Sequence, residues 1–249
     1  MDEDLPANRL SCIRIVLVRT SHPGNIGSAA RAMKNMGIHS LALVAPKRFP
    51  DPEAEALASG ADDVLAAARV FDTLPEAIGD CVAAYALSAR MREWGPENLA
   101  VREAAPAALS DASGGPVAFV FGNEASGLTN DELLACQCHV RIPTDPAWSS
   151  LNLSQAVQVV AYELRMAATA GAMPSGRPEP LATVADLEAL YAHLEQVSME
   201  SGFLDPANPG RLRDRWRRLF ARARPEREEV NIIRGLIRAL LKRRDASGE

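Results

Sequence analysis

A chain of 249 residues can bury one sizeable core and carry an appendage, so one or two domains are expected. Hydrophobic content of 47% and charged content of 24% are ordinary for a globular protein, and no apolar run reaches the length of a membrane span. The acidic start Met1-Asp2-Glu3-Asp4 is unlike a signal peptide, and four scattered cysteines (Cys12, Cys81, Cys136, Cys138) suggest a reduced, cytoplasmic protein with no membrane partner. Cys136-Gln137-Cys138 lacks zinc-knuckle spacing and has no second cysteine pair, so no metal is expected.

Short apolar runs at Ile13 to Val18, Ser40 to Val44, Val82 to Leu87, Val117 to Phe121 and His139 to Ile142 read as strands covered on both faces. Helix starts lie between them. Asp51-Pro52 puts a cap before a first-turn proline, while Thr73-x-x-Glu76 and Thr129-x-x-Glu132 are capping-box patterns. The alternation implies an α/β fold with a mostly parallel sheet, ending in a long amphipathic helix from Asn152 to Ala170. A stretch rich in Pro and Gly follows, and beyond it the pattern is helical without strands. Apolar faces are marked by Leu187, Leu190, Tyr191 and Leu194, then by Leu212, Trp216, Leu219 and Phe220. The third contains Ile232, Ile233, Leu236, Ile237, Leu240 and Leu241. The expected organisation is an α/β domain over residues 1–172, a linker over 173–180 and a helical module over 181–249.

Charge divides unevenly along this plan. Residues 211–244 hold 13 Arg and Lys against Asp214, Glu226, Glu228 and Glu229, a local net of +9, which leaves −14 for the rest of the chain. Clustered cations on an acidic body suit a polyanionic partner; a solvated helical face with dipole-matched ends accounts for the same composition.

Three loops could carry chemistry. Thr20-Ser21-His22-Pro23-Gly24-Asn25-Ile26-Gly27-Ser28 leads from the first strand into a helix containing Arg31 and Lys34. If that helix begins near Ile26, Ser28 and Arg31 share a face at an anion-favouring N-terminus, and the glycines allow close backbone approach; a plain turn with a surface arginine is the alternative. No Walker loop or complete dinucleotide fingerprint is present. In Gly122 to Leu128, backbone amides could hold a ligand, with Glu124 capping neighbouring amides and Gly127 allowing a sharp exit. In Ile142 to Asn152, Ser149, Ser150 and Asn152 stand where helix caps are common. No histidine is placed to activate a serine, so a hydrolase triad is not expected.

Together these segments resemble the three signature motifs of the SpoU branch of the SPOUT methyltransferases. The matching residues are Asn25-Ile26-Gly27-Ser28 with Arg31, Phe121-Gly122-Asn123-Glu124 with Gly127-Leu128, and Ile142-Pro143 followed by Ser150-Leu151-Asn152-Leu153-Ser154. The resemblance is closer to the TrmJ-type tRNA 2′-O-methyltransferases, through Thr20-Ser21-His22, Val157 to Glu163, Leu219 to Glu226 and Glu229 to Ile232. It thus covers nearly the whole chain. Asn123 stands where many relatives have arginine, so a substrate-binding role of that arginine does not carry over.

The resemblance implies a SPOUT fold tied into a deep C-terminal trefoil knot, a homodimer, and S-adenosylmethionine as cofactor. It implies cofactor contacts at Leu87, Ser88, Ala89, Gly122, Ile142, Ser149, Ser150 and Leu151, catalytic roles for Arg31, Asn25 and Ser150, and Asn152 as an organiser beside Asn25. The implied reaction is 2′-O-methylation of a tRNA ribose at the pyrimidine of position 32, with no DNA partner. A SpoU-type enzyme for ribosomal RNA, or a non-catalytic RNA-binding protein on this scaffold, would share much of the pattern.

Overall fold

Alternate side chains of β1 (Ile13–Val18) enter different cores, because this strand is covered on both faces. Ile13, Ile15 and Leu17 join one cluster, while Val16 and Val18 join another. The computed structural model describes residues 9–88, 97–169, 180–207 and 210–247. Its sheet has seven strands in the order β3-β2-β1-β6-β4-β7-β5, and every neighbouring pair is parallel. The remaining strands are β2 (Ser40–Val44), β3 (Arg69–Phe71), β4 (Ala83–Leu87), β5 (Glu97–Ala100), β6 (Val117–Phe121) and β7 (Cys138–Arg141).

The expected strands appear at these places, with β4 starting one residue late and β7 set back by one. Two further strands, β3 and β5, were not legible as apolar runs. Both are short and lie at the sheet's edges, so they lack burial on both faces. The alternating α/β architecture with a mostly parallel sheet is as expected.

One face is covered by α1 (Pro23–Asn35), α5 (Val101–Asp111) and α7 (Leu153–Thr169), whose Ile26, Met33, Leu109, Val157 and Leu164 are buried. The helices α2 (Pro52–Ala58) and α3 (Asp62–Ala66) lie beside α1. The other face carries α4 (Leu74–Ile78) and α6 (Asn130–Leu134). Asp51 caps α2 by accepting the Glu53 N–H at 2.9 Å, and the Thr129–Glu132 capping box forms in both directions. Arg14 is the charged exception in β1. Its guanidinium meets both Asp80 carboxylate oxygens at 2.6 and 2.8 Å and donates to the Ala77 carbonyl at 2.7 Å.

Beyond the sheet are α8 (Val184–Glu200), α9 (Leu212–Ala223) and α10 (Arg227–Ser247). Leu187, Leu190, Tyr191, Val230 and Ile237 form their core, with Trp216, Phe220, Ile233 and Leu241 packed against it. The apolar face expected on the last helix divides in two. Ile233, Ile237 and Leu241 turn inward, whereas Ile232, Leu236 and Leu240 lie a helical step round and are exposed. Leu219 of α9 is exposed as well. The module docks on the sheet through Val184 N–H to the Cys81 carbonyl at 2.9 Å and an ion pair between Arg224 and the buried Asp111. Tyr85 donates its hydroxyl to the same Asp111 at 2.6 Å. Of the expected linker over 173–180, only Pro180 falls within the described residues.

Candidate functional site

The three loops singled out in the sequence converge at the C-terminal ends of β1, β6 and β7, the ends at which open α/β sheets hold ligands. Their convergence is held by a relay of side chains. Glu124 accepts the backbone N–H of Ser21 at 2.9 Å and of His22 at 3.3 Å, and the Asn25 amide at 2.9 Å. Asn25 Oδ1 accepts the Asn152 amide at 3.0 Å. Asn152 Oδ1 in turn takes Ser154 N–H at 2.9 Å and Ser154 Oγ at 2.7 Å, capping α7. One continuous chain therefore joins the start of α1, the loop after β6 and the start of α7. Burial works against the charge on Glu124, but the donors from Ser21, Asn25 and His22 outweigh it and hold the carboxyl below its ordinary range.

Asn123 supplies a second clasp. Its amide donates to the Arg19 carbonyl at 2.7 Å and to Ser21 Oγ at 2.8 Å, and its Oδ1 accepts Ala125 N–H at 2.9 Å. Arg19, at a positive φ of 51°, ion-pairs with Glu132. Gly122 must be glycine for a packing reason: a Cβ there would lie 2.2 Å from the Gly127 carbonyl carbon and 2.3 Å from Leu128 N. Gly127 closes the loop at φ 68°, a conformation that favours glycine.

The loops after β6 and β7, with the end of β4, wall a cleft of about 320 Å³, and the first loop braces them from outside its lining. Leu87, Ser88, Gly122, Ile142, Ser149, Ser150 and Leu151, all expected to hold cofactor, line it. Ala89 lies outside the described residues. Phe121, Val140, Thr144, Leu153 and Ala156 also line the cleft; they were not singled out because buried strand and helix residues look alike in sequence whether or not a ligand lies beside them. The slot pairs apolar side chains with a more extensive polar lining of serine hydroxyls and loop groups, and Glu124, the carboxylate among its described lining residues, is occupied by protein donors. No histidine is among its lining residues.

The first loop differs from the sequence expectation. Helix α1 begins at Pro23 rather than near Ile26, so Ser28 sits in the second turn, where backbone N–H groups are already used. The anion at the start of α1 is the protein's own Glu124. Its glycines serve helix packing: a Cβ on Gly27 would lie 2.0 Å from the Ala54 carbonyl oxygen, and one on Gly24 2.7 Å from Leu57. Asn25 is engaged on both ends of its amide, as a positioning residue between two loops. Ser150 is exposed on the cleft wall. Arg31 is on the exposed side of α1 and is not among the residues lining the cleft of its own chain. The roles of Arg19, Ser21 and the Asp111–Arg224 pair had no local signal, since each partner is distant in sequence.

Comparison with known proteins gives the family. The family model described as the SpoU rRNA Methylase family matches residues 12–162, and that for the C-terminal domain of the tRNA methyltransferase TrmJ matches residues 185–249. The tRNA (cytidine/uridine-2′-O-)-methyltransferase TrmJ of Cronobacter sakazakii is 50% identical over 236 residues, covering 93% of this chain and 96% of the relative. The crystal structure of TrmJ from Z. mobilis ZM4 superposes with a TM-score of 0.79 at 37% identity, covering 91% of this chain and 98% of that one. A structure described as giving insights into the 2-OH methylation of C/U34 on tRNA has a TM-score of 0.52 at 26% identity. It covers 64% of this chain and 97% of its own. By sequence along nearly its whole length and by fold, the chain belongs to the TrmJ group of the SpoU methylase family.

Proposed function

We propose that this protein methylates the 2′-hydroxyl of a pyrimidine ribose in tRNA, at position 32 of the anticodon loop, using S-adenosylmethionine. The observation that carries the reading is the cleft: the second and third family motifs line a slot of about 320 Å³, within the common size range of small-molecule sites, and the first is tied to them through Asn25. Its residues fit the cofactor. Apolar Leu87, Val140, Ile142 and Leu151 suit an uncharged adenine, and the hydroxyls of Ser88, Ser149 and Ser150 suit its polar edges. When bound, the cofactor supplies an activated methyl group on a sulfonium centre.

The chain's own residues then align and polarise. Glu124, Asn25 and Asn152 hold the cleft walls in register. A guanidinium keeps its proton at any physiological pH, so Arg31 acts as a charge: it binds the substrate phosphate and stabilises the developing alkoxide. Ser150, with water, passes the hydroxyl proton to solvent. The active form in this reading is a cytoplasmic homodimer; exposed Tyr162 and Met166 on α7, and an exposed Arg31 that does not line its own chain's cleft, support the dimer. The trefoil knot is supported by the sheet order, in which β4 lies between β6 and β7 before α7 returns beside α1.

Ribosomal RNA is the second reading, suggested by the description of the SpoU family model. The match of residues 185–249 to the TrmJ C-terminal domain favours tRNA. Position 32 is preferred to 34 because the TrmJ relatives match over nearly the whole chain, whereas the C/U34 structure covers 64% of it at 26% identity. Isothermal calorimetry with S-adenosylmethionine, followed by transfer of labelled methyl to tRNA carrying 2′-deoxyribose at nucleotide 32, tests the reading. Binding and transfer to unmodified tRNA, with loss of transfer to the deoxy substrate, are expected. Equal labelling of both substrates contradicts it.

A further inference from the structure

The loop between β7 and α7 carries a side chain that the fold leaves unused. Trp148 is 82% exposed, more than any other large hydrophobic residue among the described ones. Its ring makes no aromatic or cation contact among the described residues. Yet its backbone is fixed. Trp148 N–H donates to the Asp145 carbonyl at 3.0 Å, Ala147 N–H to Asp145 Oδ1 at 2.8 Å, and Thr144 Oγ1 to the Ser149 carbonyl at 3.4 Å. Pro143 and Pro146 further restrict the loop. The largest apolar side chain in the repertoire is thus held exposed on a braced turn, and nothing in the packing of the described residues requires it there.

Its position gives it a use. The next two residues, Ser149 and Ser150, line the cleft, and Trp148 precedes them directly in the chain, exposed and outside that lining. A ribose entering that cleft from a single-stranded loop brings an unstacked base to the rim, and unstacked bases are held by aromatic faces. Resting on the reading of the protein as a tRNA ribose methyltransferase, we propose that Trp148 is a stacking platform for the nucleobase on, or next to, the acceptor ribose. Stacking is tolerant of base identity, so the ring positions the nucleotide without choosing between cytidine and uridine.

Steady-state methyl transfer to tRNA by Trp148→Ala, Trp148→Leu and Trp148→Phe enzymes, beside S-adenosylmethionine calorimetry and sedimentation, tests the proposal. Trp148→Ala is expected to lower kcat/KM for tRNA by about 5- to 150-fold, the range of a lost base–aromatic stack, with cofactor affinity and oligomeric state unchanged. Trp148→Phe should recover most of the loss and Trp148→Leu little of it. Recovery by leucine equal to that by phenylalanine would overturn the proposal in favour of simple apolar packing. A matching fall in cofactor affinity, or a change of oligomeric state, would overturn it in favour of a structural role. Transfer by the unaltered protein with no effect of Trp148→Ala removes the stacking role alone, whereas absence of transfer by the unaltered protein removes the functional reading as well.

Discussion

Replacing Arg215, Arg218 and Arg222 together by alanine should flatten the salt dependence of tRNA binding. The basic stretch 211–244 is not uniformly available to phosphates. Arg213 pairs with Glu195, Arg217 with Glu188, Arg224 with Asp111 and Arg227 with Asp186, while Arg234 donates to His193. Arg215, Arg218 and Arg222 are exposed and have no ion-pair partner among the described residues. Their spacing of three and four places them on one face of α9, spanning about 10 Å at 1.5 Å per residue. Each phosphate contact contributes about 0.7 to 0.9 to the slope of log K against log salt, so losing three should lower the slope by about 2 to 3. Between 50 and 200 mM salt, the unaltered protein should then lose about 20- to 40-fold more affinity than the variant. Fluorescence anisotropy with labelled tRNA across that range reads both quantities. Arg217→Ala is the control: Arg217 meets Glu188 and stacks over Tyr191 at 4.8 Å, so its loss should cost stability and leave the slope nearly intact. An unchanged slope in the triple variant, with a flattened one in Arg217→Ala, would refute the assignment of phosphate contacts to this face.

Other expectations follow from the cleft. Gly122→Ala places a Cβ against the Gly127 backbone at 2.2 Å; cofactor affinity should fall by more than about tenfold in calorimetry, with about 1–3 kcal/mol lost in thermal unfolding. An affinity within twofold of the unaltered protein would contradict the tight loop closure described here. Glu124 has a depressed folded pKa, so its stabilisation is complete above the ordinary carboxylate pKa and is lost as pH falls through the lower folded value. Thermal melts from pH 7 to pH 3 should therefore show a steeper acid loss in the unaltered protein than in Glu124→Gln, which lacks that titration; parallel curves would argue against the relay. Arg31→Lys keeps the charge but not the planar fork, and turnover should fall by at least about tenfold while tRNA affinity changes little. Near-normal turnover would argue against bidentate contact.

The central strands were readable because burial on both faces leaves almost nothing but apolar residues, as in Val117 to Phe121. Edge strands such as Arg69–Phe71 carry no such constraint, and a three-residue strand is too short for a period to show. Capping boxes were legible for the opposite reason: Thr129 and Glu132 are three residues apart and make their bonds locally. The site is built otherwise. Asn25 meets Glu124 across 99 residues and Asn152 across 127, and no local pattern encodes such pairs. Only the order of the three motifs, through family resemblance, brought those residues together on paper. Glycine shows the limit of local inference. Gly24 and Gly27 look like a ligand loop in sequence, yet the backbone they admit belongs to the neighbouring helix α2. Arg31 is similar, since its position on α1 was legible but its placement away from the chain's own cleft was not.

The central claim is that the cleft delivers a methyl group to one ribose in tRNA. Its most direct test is incubation of the full chain with methylation-deficient total tRNA and isotopically labelled S-adenosylmethionine, followed by nuclease digestion and mass-spectrometric mapping. The account predicts label on the ribose of the pyrimidine at position 32, as a 2′-O-methyl group. Label on a base, on another position, or on ribosomal RNA in preference to tRNA would contradict it.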